Sequence, residues 1–317
     1  MAERAAQLRE NWLAFRQRSA ARLAESMLLV LRVLSEKSAL ALGAALGRSW
    51  VRLSGPRTAD ARVNLRIAFP AWSEERRESV LLRSMENMGR NLAEFARIGT
   101  WSDAELRRRV RVEGMEHAEA ASAASPNGAV LVLTAHFGSW ELLAAAAAAH
   151  GMPISAVQRP RDNPLLEDLV SRVRAQGGAE FMARGNAARP ALRALRSGRY
   201  LAILYDRNAR PGEGVFVPFF GRLASAVDGP PRLALRTGVA VLPAFIHREP
   251  DGIHHVCRFL PPLFAPPGAC ANANAVAESA KRWTRIIEEQ VRSAPEQWDW
   301  SHRRWKTQPQ GEPAPYR

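Results

Sequence analysis

The stretch Ala129-Val-Leu-Val-Leu-Thr-Ala-His136-Phe137-Gly138-Ser139-Trp140-Glu141 opens on an apolar, β-branched run and then breaks into small and cap-forming residues. The run has the composition of a strand buried on both faces. An Ala/Leu helix is expected from Glu141 to about His150. A polar His therefore stands at the C-terminal end of a buried strand, just before a helix N-terminus. In open α/β sheets that is where ligands bind.

His136 and Glu141 are five positions apart, about 140° around one continuous helix, so a turn at Gly138 has to bring them together. With the chain folded back there, Glu141 accepts from one imidazole nitrogen, fixes the tautomer and leaves the other nitrogen as a base. The free N–H groups of the helix start then lie close to a developing oxyanion. Ser139 has no G-x-S-x-G elbow around it, which favours direct deprotonation of a substrate hydroxyl over a covalent acyl-serine. A packed, hydrogen-bonded histidine with no catalytic part is the competing reading.

Outward from this stretch, strands and helices alternate. Strands are expected at residues 110–112, 130–133, 154–157, 200–204 and 239–246, with an antiparallel one at 253–259. Helices are expected at 164–176, 188–197, 229–237 and 272–293. The pattern predicts an α/β fold, a mostly parallel central sheet flanked by helices. Residues 1–100 read instead as helices, at about 3–34, 38–53, 60–68 and 74–98. The first two have basic ends and apolar middles interrupted by Arg32, Glu36, Lys37 and Arg48, which suits a helix lying in a membrane interface or an ordinary packed bundle. In the last, Leu81, Met85, Met88, Leu92 and Phe95 form a core-facing stripe. The Pro/Gln/Gly-rich residues 307–317 predict a disordered tail, leaving 101–306 as the α/β domain.

Composition narrows the partners. Lys and Arg number 45 against 31 Asp and Glu, a formal net charge of +14. Such a surplus calls for an anionic partner: nucleic acid, anionic lipid or an acidic protein. No run of 18 apolar residues and no signal-peptide pattern is present, so the expected location is the cytoplasm or its membrane face. Cys257 and Cys270 have no metal or disulfide spacing, and His254 and His255 no ligand spacing, so no metal or cofactor is expected.

The pattern His136-Phe-Gly-Ser-Trp-Glu141 resembles the His-x4-Asp/Glu motif of the glycerolipid acyltransferase superfamily, and specifically the His-Phe-Gly-x-Trp-Glu of the bacterial lipid A late acyltransferases, the lauroyl and myristoyl transferases. Four further stretches agree in order. Arg62-Val-Asn64-Leu-Arg-Ile-Ala-Phe69-Pro70 is similar to the Arg-x-Asn-Leu…Phe-Pro signature, and Gln158-Arg159-Pro160-Arg161-Asp162-Asn163-Pro164 to Tyr-Arg-Pro-x-x-Asn-Pro. Val217-Pro218-Phe219-Phe220-Gly221 matches Val-Pro-Phe-Phe-Gly. Residues 295–306, with Trp298, Trp300, His302, Arg304 and Trp305, match the Pro-x-Gln-Trp-x-Trp-x-His-x-Arg-Trp-Lys ending.

The resemblance implies an acyltransferase that moves a fatty acyl chain from acyl carrier protein, as co-substrate, to a hydroxyl of an anionic glycolipid, a lipid A precursor, at the cytoplasmic face of the inner membrane. It tips the N-terminal helices towards the membrane interface. His136 is then the base, Glu141 its orienting group, and Arg159 a cation for phosphate or oxyanion at the end of its strand. Asn163, in the same motif, is read with them as substrate-binding. Gly178-Ala-Glu-Phe181-Met-Ala-Arg184 has the look of the superfamily's second block, which makes Arg184 an acceptor-phosphate contact. Asp206 ends a strand and orients Arg159 or the acceptor sugar, or simply caps; Arg207 departs from the family's Asp-Gln. Phe219 and Phe220 line an acyl channel or pack, and the Trp-rich ending either anchors near site or membrane or stacks on nucleic acid. The alternatives are another membrane-lipid acceptor, or a basic membrane- or nucleic-acid-binding module without catalysis.

Overall fold

The computed structural model describes residues 2–158, 161–183, 188–265 and 270–316. Arg159 and Arg184 lie outside these residues.

Four helices come first: α1 (Ala2–Val33), α2 (Glu36–Leu53), α3 (Gly55–Ala68) and α4 (Glu74–Arg97). Ser35 and Ser73 start α2 and α4 by accepting from the N–H groups of Ser38 and Arg76, which satisfies donors a helix start leaves free. Helix α3 begins five residues earlier than the expected 60, because Pro56 is compatible with a first turn. Gly89 lets α4 meet α2 backbone to backbone, since a Cβ there would stand 1.8 Å from the Gly43 carbonyl oxygen. Trp12, Phe15, Leu23 and Val33 on α1, with Trp50 and Leu53 on α2, remain exposed. No helix among the described residues is long and apolar enough to cross a membrane.

The rest alternates: α5 (Asp103–Arg109), β1 (Val110–Glu113), α6 (Met115–Ala123), β2 (Val130–Thr134), α7 (Trp140–Ala149), β3 (Ile154–Gln158), α8 (Pro164–Ala175), β4 (Glu180–Ala183), α9 (Ala188–Arg196) and β5 (Tyr200–Leu204). A hairpin of β6 (Gly214–Phe219) and β7 (Arg222–Val227) follows, then α10 (Gly229–Thr237), β8 (Ala240–Arg248), β9 (His255–Phe259) and α11 (Ala273–Ser293). Seven strands form one sheet in the order β1-β9-β8-β2-β5-β3-β4. Strands β8, β2, β5, β3 and β4 are mutually parallel; β9 is antiparallel to β8, as its sequence suggested, and β1 runs with β9.

The central strand is β2, every residue of which is buried. Its alternation splits the interior in two, with Leu131 and Leu133 in the core beside α11 and the Trp-rich ending, and Val130 and Val132 in the core beneath α7. The α/β reading and the parallel sheet hold. The short β4, the β6–β7 hairpin, α5 and α6 were not expected, for each is too short to establish a period of its own.

The tail expected to be disordered is instead seated on the body. Thr307 N–H donates to Asn208 Oδ1 at 3.0 Å, Gln308 Oε1 accepts from Arg222 Nε at 3.3 Å, and the Tyr316 hydroxyl donates to Asn64 and accepts from Trp305 N–H. Composition alone missed these partners because they lie up to 252 residues away in sequence.

Candidate active site

Register brings the site together. Strands β2 and β5 pair with Thr134 opposite Leu204, so His136 and Asp206, each two residues beyond, emerge side by side at the C-terminal edge of the sheet. The His136 ring Nδ1 lies 2.8 Å from Asp206 Oδ1. Asp206 Oδ2 accepts from the His136 backbone N–H at 3.0 Å and from Trp298 Nε1–H at 2.8 Å. Asp206 is buried. Burial by itself would raise its pKa, but the His136 ring, its hydrogen bond, Arg207 and the Trp298 N–H outweigh that and hold the carboxyl well below the usual carboxylate range. A fixed anion at Nδ1 keeps the proton there and leaves Nε2 as the basic nitrogen. That nitrogen has no hydrogen-bond partner among the described residues, and His136 lines the main cavity.

Glu141 does not orient His136. Its carboxylate is taken by Arg174 of α8, with Nε to Oε2 at 3.0 Å, and Arg174 also reaches Gln158. The turn at Gly138 does form, with φ +56°. It delivers Glu141 to the first turn of α7 on the cavity wall and turns it towards α8, while the strand-end carboxylate of Asp206 occupies the place beside the ring. Asp206 is thus the partner that the His-x4-Glu spacing assigned to Glu141.

The turn itself is clamped from both sides. Gly138 N–H donates to Gln297 O at 2.8 Å, Asp299 N–H donates to His136 O at 3.0 Å, and Asn91 Nδ2 donates to Gly138 O at 2.6 Å. Behind Asn91, Arg248 binds both Asn91 Oδ1 and the buried Glu94 carboxylate. A Cβ on Gly138 would stand 1.8 Å from Ile246 O, so only glycine fits this positive-φ position.

The cavity under the site has a volume of about 830 Å³ and combines apolar walls with five arginines among the described residues, Arg161, Arg174, Arg207, Arg232 and Arg236. Arg207 pairs with Asp299 at 2.8 Å and Arg232 with Asp228 at 2.9 Å. Arg236 makes no ion pair among the described residues. His302 also lines the cavity, and its Nε2 accepts from Asn208 N–H at 3.0 Å. Burial and the Arg207 charge push its pKa down to about 3, so it stands neutral. Helix α7 begins at Trp140 on the cavity wall, and a helix start carries free N–H groups and the positive end of the helix dipole.

The remaining expected site residues fall elsewhere. Asn163 caps α8, accepting from Leu165 N–H and donating to Gln17 O. Phe219 and Phe220 are buried against Trp298, Trp300, Trp305 and Phe69 and do not line the cavity. Their observed part is packing. Trp298, Trp300 and Trp305 are at most 1 % exposed, which removes the stacking and membrane-anchor readings of that ending and leaves it locked beside the site, where Trp298 bonds Asp206. Ser139 is also buried and off the cavity wall. Sequence reasoning missed Arg174, Arg232, Arg236 and Trp298 as site residues; the helical phase of α8 and α10 was the available signal for the arginines. No cluster of metal-ligating side chains occurs among the described residues.

The model of the family described as bacterial lipid A biosynthesis acyltransferase matches residues 14–307. The lipid A biosynthesis lauroyltransferase of Escherichia coli (strain K12) is 32% identical over 279 residues, 87% of each chain. The palmitoleoyltransferase of the same organism is 30% identical over 259 residues, 81% of each, and its myristoyltransferase 25% identical over 279 residues, 86% of this chain and 83% of the relative. With a match over nearly the whole chain and these relatives, the chain belongs to the bacterial lipid A biosynthesis acyltransferase family.

Proposed function

We propose that this acyltransferase takes a fatty acyl chain from acyl carrier protein and passes it to a hydroxyl of an anionic lipid A precursor, with His136 as general base and Asp206 as the group that orients and charges it. The observation that carries the reading is the pairing of buried Asp206 with half-buried His136, whose free ring nitrogen faces a cavity both apolar and arginine-rich. His136 Nε2 takes the hydroxyl proton as the acceptor oxygen attacks the thioester carbonyl. The tetrahedral oxyanion sits against the N–H groups opening α7. Its collapse breaks the C–S bond, and the imidazolium returns the proton to the leaving thiolate. Asp206 stabilises the imidazolium between these steps, as in other carboxylate–histidine pairs.

The charges fit both substrates. An acidic carrier protein and an anionic acceptor are each drawn by the +14 surplus, and Arg207, Arg232 and Arg236 at the cavity suit a phosphate group. Exposed Trp12, Phe15 and Leu23 interleaved with Arg16, Arg18 and Arg22 on α1 fit a helix lying in an anionic bilayer surface, which supports the cytoplasmic membrane face as the working location.

The test is transfer of labelled acyl chains from acyl carrier protein to a purified lipid A precursor in detergent micelles. Wild type should transfer, and His136→Ala should lose on the order of 10² to 10⁴-fold. Full activity in His136→Ala would refute the mechanism. Transfer to a different lipid extract, with none to the precursor, would refute the acceptor.

A further inference from the structure

The acyl-transfer reading fixes where the carbonyl reacts but not where its chain lies. Successive residues of β5 point to opposite faces, and the cavity reaches both: Tyr200 and Ala202 line it under α7, Ile203 and Tyr205 on the other side. Under α7 the space is apolar below a polar rim of Glu141, Gln158 and Arg174. Leu143, Ala144 and Ala147 form one wall, and Val132, Ala156 and Ala202 the other.

Alanines on both walls are what keep this space open. Residues 144–149 are six alanines in a row, and a helix of such short side chains, set over Ala156 and Ala202, cannot fill the gap to a sheet. Interiors are otherwise packed with few voids larger than a water molecule, so a persistent apolar slot that opens beside the base suits a ligand with no polar groups along its length. The floor is Met152, Ile154 and Tyr200. Tyr200 places its hydroxyl away from the slot, on Ala118 O at 3.4 Å, and so presents only its ring.

Depth follows from register. Thr134 opposite Leu204 marks the rim, and Val130 opposite Tyr200 and Ile154 the floor. Four residues of strand span about 13 Å, and along α7 from Trp140, Ala144 lies about 6 Å down and Ala147 about 10 Å. A saturated chain advances about 1.3 Å per carbon, from C–C bonds of about 1.5 Å in zigzag. We infer that the slot between α7 and the sheet holds the donor's acyl chain, saturated and about ten to twelve carbons long, with Ala144, Ala147, Met152 and Tyr200 setting that length. This rests on the acyl-transfer reading above.

Two assays test it. In the first, acyl carrier protein loaded with chains of about eight to sixteen carbons supplies the donor, and relative kcat/KM is read against length. Wild type should peak at ten to twelve carbons, with about a fourfold loss for each methylene beyond, the value of one buried methylene. Ala147→Leu should move the peak shorter, Ala144→Leu shorter still, and Met152→Ala longer by a carbon or two. In the second, free fatty acids of the same lengths compete for a bound fluorescent fatty acid, which reads the slot without any reaction. Length profiles that shift in this order in binding, with no transfer from any donor, would retain the slot and overturn the acyl-transfer reading. Folded variants, judged by thermal melting, that transfer with an unchanged profile would overturn the slot, as would competition indifferent to length.

Discussion

Replacing Asp206 by Asn is the sharpest test of the site, because the hydrogen bonds around the carboxylate determine what the amide must do. Oδ2 receives two donors, His136 N–H at 3.0 Å and Trp298 Nε1–H at 2.8 Å, while Oδ1 receives one, the ring Nδ1–H at 2.8 Å. An amide has one oxygen. Placed on the Oδ2 side it keeps two hydrogen bonds and turns its NH2 towards Nδ1, which must then accept. The proton moves to Nε2 and the base is lost without a change of shape. The same inversion of tautomer in a serine-protease triad costs about 10⁴ in kcat, and a loss of about 10³ to 10⁴-fold is expected here, with KM nearly unchanged. The assay is acyl transfer at saturating donor, with histidine 15N shifts reporting the tautomer and thermal melting the fold. A folded Asn variant within about tenfold of wild type would refute Asp206 as the orienting group. The carboxylate also links folding to pH: its folded pKa is depressed, so its stabilisation is full above the unfolded value of about 4 and is lost as pH falls below it.

Glu141→Gln leaves the His136–Asp206 pair intact and weakens the hold on Arg174 and Trp140, so its rate should fall by less than about tenfold under the same assay; a loss equal to that of His136→Ala would restore Glu141 to the base's side. Arg248→Met strands the fully buried Glu94 carboxylate and should cost about 3–5 kcal/mol in urea denaturation, a change under 1 kcal/mol being incompatible with that burial. His302 must stay neutral when folded, with a pKa pushed down to about 3 against about 6.5 unfolded. Stability should therefore be level above pH 6.5 and fall below it at up to about 1.4 kcal/mol per pH unit, a slope that His302→Gln removes in part and that denaturation at several pH values reads directly. Gly138→Ala, pressed onto Ile246 O, should cut activity by more than tenfold while the melting temperature falls only a few degrees, since the strain is absorbed by the turn that carries His136.

The fold was largely legible because β2, β5 and β8 are apolar and β-branched over five or more residues, and because the long helices carry clear stripes and caps. His136 and Asp206 were each visible as polar residues ending a strand. Their pairing was not, since it depends on which strands are neighbours and in what register, and β2 lies beside β5 across an intervening β3 and β4 in sequence. The spacing argument instead joined His136 to the nearest carboxylate along the chain, Glu141. It could not register that Arg174, 33 residues on, would take that carboxylate. The aromatic ending was ambiguous for a related reason: Trp, Arg and His interleaved suit a surface as well as a core, and only the partners decide.

Those partners show why motifs so distant in sequence belong to one site. Residues 297–299 run beside the 136–138 turn, with Phe137 bridging Trp298, and Trp298 also reaches Asp206. This segment is held in turn by the N-terminal helices: Asn64 of α3 donates to Trp300 O and His302 O, both at 2.7 Å, and Ser84 and Asn87 of α4 donate to Trp298 O and Glu296 O. The chain of contact therefore runs from α3 and α4 through the C-terminal segment to Asp206 and His136. The Arg-x-Asn motif serves the chemistry at one remove, by fixing the backbone that fixes Asp206. It follows that α3 and α4 are structural supports of the candidate active site, whereas α1, with its exposed aromatic residues and arginines, and the end of α2, with Trp50 and Leu53, are left free to meet a surface.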